Sequence, residues 1–558
     1  MTMRGAFSNS TLSLMQRRIM LYYHTLCHLK LVQLAWRLIL WLRPPCIDLA
    51  DAPPMREPRR PWIAACARKT SMTGPDTFRF LNAERRIANA ADWNAGEVDK
   101  LWLYNAHYFD DLGALDSMER SGWHQQLIER WIIENPPSHG NGWEPYPLSL
   151  RIVNWIKFAL SSGTLNEDAR QSLAIQVRYL GSRLEYHLLG NHLLANAKAL
   201  IFAGTWFAGA ESERWLERGL TILRRELPEQ VLNDGGHFER SPMYHGIILE
   251  DLLDLHNLMQ TYELESRLPA LPLVAMRTWL RALCHPDGGI AFFNDAAFGI
   301  APDTAEIEAY AARLGMPGLD DMPTGLTQLC ESGYIRLEAG PALALLDVAP
   351  VGPDYLPGHA HADTLSFELS IFGSRMFVNS GTSCYKAGAQ REFERSTAAH
   401  NTLNIDGADS SEMWSSFRVA RRARPMLEEV AVCEHEVCVT ASHNGYRRLR
   451  GGNTHRRTWC LKRNMLEICD EILGEFTQAQ VYFHLHPSVM LVEIEQGRLA
   501  RLRLDGVADV VLRVLGGALK AEAGQWHSEF GLSQPSTRLV VRLEGAHLVT
   551  DIEWNIPS

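Results

Sequence analysis

Near Gly325 the spacing of apolar residues changes period, and no single type of secondary structure can accommodate both halves of the chain. Before that point apolar side chains recur at helical spacing, as in Ile152, Trp155, Ile156, Ala159 and Leu160. Similar stretches follow at 171–189, 192–203, 213–227, 246–262 and 270–284, joined by short segments rich in Gly, Asp and Pro. Two of the joints resemble each other, Asp234-Gly235-Gly236 and Asp287-Gly288-Gly289. Six or so helical hairpins of this kind predict an incomplete toroid of paired helices. After Gly325 the runs are short and alternating, as in Tyr334 to Leu337, Ala342 to Leu346 and Thr537 to Leu543, with turn signals between them. That texture predicts an antiparallel sandwich. A chain of 558 residues is too long for one core. The expected architecture is therefore α+β and multidomain: an N-terminal incomplete (α/α) toroid over 76–325, then an antiparallel β-sandwich over 326–558.

Residues 1–75 stand apart. Leu14 to Arg43 carries Arg17, Arg18, Lys30, Arg37 and Arg43 among Leu, Tyr and Trp, which reads as one basic amphipathic helix. Such a helix lies on a membrane surface or packs on the body of the protein. Its charges exclude a membrane span, and residues 44–75 read as a Pro-rich arm. No cleavable signal pattern is evident, which predicts a cytoplasmic or membrane-peripheral location, with the periplasm as the alternative. The net charge of −10 argues against nucleic-acid binding, so an acidic substrate would have to be met by a local basic groove. The ten cysteines lack CxxC pairs, which suits reduced thiols.

The richest stretch is Gly358 to Leu403. It joins the pair His359 and His361 to an alternating run, Leu365, Phe367, Leu369 and Ile371, which predicts a half-buried strand. Gly373-Ser374 then predicts a hairpin turn, followed by Asn379, Tyr385, Arg395 and His400. On a strand, His359 and His361 would share a face. In the helical half, Asn191 and His192 open one helix, where Asn191 also suits an N-cap. Ser241-Pro242 opens another, with Tyr244 in its first turn and Glu239, Arg240 and His245 beside it. Trp143 and Tyr146 lie in an earlier loop that could line the same mouth.

These motifs, from Gly190-Asn191-His192 through Glu239 to His245 and Gly358-His359-Ala360-His361-Ala362-Asp363 to His400-Asn401-Thr402, resemble the heparinase II/III-like polysaccharide lyases, a family that includes oligoalginate lyases. The resemblance implies a toroid followed by a β-sandwich, and β-elimination on a polysaccharide containing uronic acid. It implies catalytic roles for five residues: Asn191 and His192 neutralise the uronate carboxylate, Tyr244 is the acid, and His359, Tyr244 and Tyr385 are the candidate bases. Tyrosine, with an ordinary pKa of about 10, needs a nearby positive charge to act as a base; Arg240, Arg395 or a metal would supply it. Glu239, Arg240, His245, Trp143, Tyr146 and Arg395 are the implied substrate contacts. The resemblance also implies a structural zinc ion on His361, Asn379 and His400, with no organic cofactor. Asn379 replaces the family's aspartate, so zinc affinity should fall and the cluster could persist through hydrogen bonds alone.

Two other readings fit the residues. A glycoside hydrolase on the same toroid would need a carboxylate pair from Glu144, Glu239, Asp234, Asp287 and Asp295. A non-catalytic saccharide-binding protein of a polysaccharide biosynthesis system would need no catalytic group at all.

Overall fold

The structure, a computed structural model, describes residues 5–161, 163–504 and 506–555, and the side chains from Met15 onward. The first and last residues of the expected N- and C-terminal segments lie outside the described residues. The N-terminal segment is two helices, α1 (Gly5–Leu26) and α2 (Leu31–Leu42), bent by 101° at residues 27–30. The single helix expected there is thus broken. The arm that follows is extended and bound to the toroid. Arg56 N–H donates to Trp206 O at 2.8 Å, and the N–H groups of Arg59 and Arg60 both donate to Thr261 O at 2.9 Å. A small antiparallel sheet over 72–86 then leads into the helices.

The toroid is built from α3 (Lys100–Tyr108), α4 (Ser121–Glu134), α5 (Pro145–Ser161), α6 (Glu167–Ser182), α7 (Gly190–Trp206), α8 (Ala210–Gln230), α9 (Pro242–Thr261), α10 (Leu273–Ala282) and α11 (Thr304–Arg313). Helix α7 lies at its centre. It is almost wholly buried, as a helix surrounded by other helices must be, and its polar side chains Asn196 and Lys198 are bonded within the toroid. Trp131, Trp155, Phe202, Leu216 and Leu253 belong to one continuous core. The two Asp-Gly-Gly joints have the same geometry. Asp234 Oδ1 accepts from Gly236 N–H at 3.0 Å, and Asp287 Oδ1 accepts from Gly289 N–H at 2.8 Å. The middle glycine is left-handed in both, with φ +89° at Gly235 and +82° at Gly288.

The strands of the C-terminal sheets pair antiparallel. An eight-stranded sheet runs in the order 425–432, 436–443, 454–462, 465–473, 547–554, 508–515, 499–504, 489–495. A five-stranded sheet (326–329, 334–339, 342–347, 367–371, 374–377) and a four-stranded one (517–526, 534–543, 479–484, 403–405) are joined through a Phe377–Leu485 bridge. All three sheets contribute to one core, with Phe367, Phe483, Trp459 and Leu512 fully buried in it. Cys438 and Cys460 stand opposite each other on neighbouring strands and are joined by a disulfide, which corrects the expectation of reduced thiols for that pair.

The hairpin after His361 forms as expected, but its first strand is Phe367–Ile371 and both of its faces are buried. Glu368 and Ser370, expected to face solvent, meet His285 instead: His285 Nε2 lies 2.8 Å from Glu368 Oε2 and its Nδ1 2.7 Å from Ser370 Oγ. The toroid covers the face that alternation alone would leave wet.

The paired joints predict different costs for one substitution. In Gly288→Ala the new Cβ meets nothing within 4 Å, so only the left-handed backbone opposes it, about 1–2 kcal/mol. In Gly235→Ala the Cβ would sit 2.3 Å from Ala275 O, a backbone atom, so unfolding titrations should show a clearly larger loss than for Gly288→Ala.

Candidate active site

The segment between α10 and α11 carries Asn294 and Asp295 across to the β domain. Asn294 is left-handed, with φ +58°. Its N–H donates to Asp363 Oδ2 at 2.8 Å, and its Oδ1 accepts from His361 N–H at 3.0 Å. Asp295 N–H donates to His359 O at 2.9 Å, and its carboxylate collects four side chains. His359 Nδ1 lies 2.9 Å from Oδ2 and His361 Nε2 2.8 Å from Oδ1; Thr382 donates to Oδ1, and the fork of Arg391 spans both oxygens. Asp295, His361 and Arg391 are fully buried. Burial would raise the Asp295 carboxyl, but Arg391 and the two histidines hold it well below the usual carboxylate range.

A charged carboxylate only accepts hydrogen bonds, which fixes the proton on each ring. His359 donates from Nδ1, so in the neutral ring the lone pair is on Nε2, and this atom lies 3.7 Å from Glu239 Oε2. His361 donates from Nε2, so its Nδ1 accepts from His400 Nε2 at 3.2 Å. His359 and His361 therefore meet on one carboxylate, although they lie in a loop and not on the strand expected from the sequence.

Helix α9 adds Tyr244. Ser241 caps the helix by accepting from Tyr244 N–H at 3.1 Å, and its hydroxyl donates to Asp295 O, which pins this helix to the same aspartate. The Tyr244 ring stacks on His359 at 3.8 Å, and its hydroxyl lies 2.9 Å from the Tyr385 hydroxyl. Burial pushes both phenols well above 10. The cation beside Tyr385 is Arg391, 4.9 Å from its ring, and not Arg240 or Arg395.

Helix α7 adds Asn191 and His192. Leu189 and Gly190 both have positive φ and turn the chain sharply into this helix. Leu189 occupies the cap position, so Asn191 is not an N-cap. His192 Nδ1 lies 3.1 Å from Glu185 Oε1, and its ring lies 4.6 Å from that of Tyr146. Burial alone would lower His192, but Glu185 overrides it and raises the ring above the ordinary value. Glu239 lies among these groups. It is 2% exposed and neither carboxylate oxygen has a hydrogen-bond partner among the described residues. Burial raises it, opposed by His359, His192 and the Asn191 backbone N–H. A cavity of about 360 Å³ opens beside Tyr244 and Tyr385, lined also by Tyr108, Tyr146 and Phe530.

Residues 92–305 match the heparinase II/III N-terminus and residues 321–555 the heparinase II/III-like C-terminal region. The chain belongs to the heparinase II/III-like family. A heparin-sulfate lyase of Bacteroides stercoris is 28% identical over 41% of this chain, and the match spans only 38% of that enzyme's length. FtsZ-localized protein C of Caulobacter vibrioides is 26% identical over 81% of this chain and 80% of its own. A crystal structure of heparinase III superposes with a TM-score of 0.67 at 18% identity, covering 86% of this chain and 80% of that one, and shows the shared fold.

Within this heparinase II/III-like frame, other residues singled out by sequence lie away from the cleft. Arg240 donates to the backbone carbonyls of Ser332 and Phe238 and so ties the toroid to the β domain. His245 is fully buried between Met276 O and the Trp279 ring, and Trp143 lies in the aromatic core against Trp131 and Tyr179. Arg395 donates twice to Ala360 O and braces the loop between the two histidines. Asp295, Arg391 and Glu185 have no place in the implied catalytic set. Asp295 is marked in sequence only as an acid in an apolar run, and Arg391 and Glu185, which lie among other polar residues, carry no such mark.

The residues expected to hold zinc do not fit that ion. Asn379 Oδ1 already accepts from Asn401 N–H at 3.2 Å, and its Nδ2 has no hydrogen-bond partner among the described residues. Burial, Arg391 and Arg395 lower His361 to about 4, against the opposing pull of Asp295. No group of three or more His, Cys, Asp and Glu side chains able to hold a metal occurs among the described residues. His361, Asn379 and His400 are a buried polar cluster. The hydrolase reading loses its pair as well. Asp234 and Asp287 close their own loops, Glu144 pairs with Lys100 at 2.9 Å and Asp295 with Arg391.

Asp295→Asn should leave the Arg391 charge buried and unpaired, with a loss of about 3–5 kcal/mol in urea unfolding. The His192–Glu185 pair stabilises the fold below the unfolded histidine pKa of about 6.5, and its contribution is lost as pH rises through the raised folded value. Glu185→Gln should therefore move the NMR titration of the His192 ring to lower pH.

Proposed function

We propose that this chain is a polysaccharide lyase that cleaves a uronic-acid-containing polysaccharide by β-elimination. The observation that carries the reading is that Asp295 fixes the proton on His359 and leaves its Nε2 lone pair beside Tyr244 and Glu239. Asn191 and His192 take the uronate carboxylate, with the raised pKa of His192 favouring its cation. His359 Nε2 removes the C5 proton. The C–H electrons move into the carboxylate as an enolate, then form the C4–C5 double bond as the C4–O bond breaks. Tyr244, kept neutral by burial, protonates the leaving oxygen, and Tyr385 holds that hydroxyl in place. Burial also favours the neutral form of Glu239, which spares the substrate carboxylate a like charge. The heparin-sulfate lyases among the relatives support an acidic glycan as substrate.

Incubation with a panel of uronic-acid polymers should give a product with new ultraviolet absorbance. His359→Ala and Tyr244→Phe should each lower kcat by about 10²–10⁴-fold, since each removes a proton-transfer group. New reducing ends without absorbance would mean hydrolysis. Glycan binding without any product would favour the saccharide-binding reading.

A further inference from the structure

Helices α1 and α2 are amphipathic with the faces reversed. The face of α2 against the body is polar where it is anchored: Gln33, 2% exposed, donates toward Leu188 O and Tyr355 O at 3.4 Å, and Trp36 Nε1 donates to Leu184 O at 2.7 Å. The opposite face is apolar and open to solvent. Leu31, Leu34, Leu38, Trp41 and Leu42 follow helical spacing, and Leu31 and Trp41 are 83% and 80% exposed. Ile19, Tyr23 and Leu26 continue an exposed apolar face on α1. A soluble protein seldom leaves such a contiguous patch uncovered. Between Gly5 and Ile47 the chain has Arg17, Arg18, Lys30, Arg37 and Arg43 and no Asp or Glu, whereas the whole chain is at −10.

A second feature lies at the elbow between the two helices. His24 and His28 line a cavity of about 280 Å³ together with Arg421, Arg422, Arg424 and Arg448 of the β domain. Three of these arginines are fully engaged. Arg421 pairs with Glu412, Arg424 with Asp354, and Arg448 donates to the carbonyls of Ser410, Gly445 and Asp409. Arg422 is different. Its side chain is 2% exposed and its Nη1 reaches Asp354, but its Nε and Nη2 have no hydrogen-bond partner among the described residues. Two adjacent N–H donors of one guanidinium, buried and unpartnered, are the half of a bidentate pair that a phosphate completes.

We propose that the α1–α2 elbow docks on an anionic phospholipid membrane. The exposed Leu and Trp faces enter the headgroup layer, the flanking Lys and Arg meet its negative surface, and the Arg422 cavity takes one lipid phosphate. The aromatic, leucine and basic composition is that of an interfacial helix, and the absence of acidic residues from this segment of an otherwise acidic chain orients it. The neighbouring contacts carry the docking to the cleft. Thr25 donates to Val419 O in the β domain and α2 holds the toroid, so both domains are fixed to the docked surface.

The test is co-sedimentation of the full chain with vesicles of phosphatidylcholine alone and of phosphatidylcholine with equimolar phosphatidylglycerol. The expected result is partition about tenfold or more greater onto the mixed vesicles, weakening as salt is raised. The double substitution Leu34→Glu, Leu38→Glu, at exposed positions that leave the thermal midpoint unchanged, should abolish binding to both. Arg422→Gln should remove most of the preference for the anionic vesicles, and Arg422→Lys, which keeps the charge without the fork, serves where the glutamine variant does not fold. Isothermal titration with inorganic phosphate separates the sources. Phosphate binding with no vesicle partition would make this a free-anion site and overturn the proposal. A concentration-dependent dimer abolished by the double substitution, again without vesicle binding, would show that a second copy of the chain covers the face, and would overturn it equally.

Discussion

The buried ion pair between Asp295 and Arg391 is the constraint from which the rest of the site takes its shape. Its carboxylate lies where three pieces of chain meet: the α10–α11 connection of the toroid, the His359–His361 loop, and α12 (Ala389–Glu394), which supplies Arg391. Burying two charges is costly, and such a pair is weak evidence of net stability. What it secures here is direction. A carboxylate kept ionised accepts from both histidines, so the proton on each ring is settled by electrostatics. The other ring nitrogen of His359 then points toward Glu239, 3.7 Å away.

Around that pivot the two domains are joined both by apolar clusters, such as Trp279 and Phe293 with Tyr334 and Leu345, and by buried polar contacts. Asn294 bonds at once to Asp363, to the His361 backbone and to Arg240 O, while Arg240 itself holds Ser332 O. Each of these buried groups would be left unsatisfied if its partner were removed with the domains still packed. Helices α1 and α2 span the same junction from outside, against Val419 and Leu184. The distance from Tyr244 on one domain to Tyr385 on the other is thereby fixed without either residue bearing the load.

The cavity beside the tyrosines has mixed charge. Lys198 lies between Asp251 and Asp254 at 2.7 Å from each, and Arg68 pairs with Glu250 at 2.7 Å. The basic groove that a polyanion would seem to require is thus largely self-neutralised beyond the reacting centre. On the proposed reading, recognition of charge falls mainly to His192 and Asn191, and the aromatic faces of Tyr146 and Tyr108 line the cavity.

Periodicity alone determined the architecture, because a helix and a strand place apolar side chains at different spacings and the chain changes from one to the other near Gly325. It also set the elements that carry Asn191, His192 and Tyr244 and the hairpin after His361, since Ser241-Pro242 and Gly373-Ser374 act through neighbours in sequence. The membership of Asp295 and Arg391 was not legible, because they are 96 residues apart and meet only when the domains close. The same closure covered Glu368 and Ser370, which alternation assigned to solvent, and drew Arg240, His245 and Arg395 into structural bonds. Which arginine stands beside a phenol, and which imidazole nitrogen holds the proton, depends on distances of a few ångströms between remote segments. Tertiary packing sets those distances, and spacing along the chain does not encode them locally.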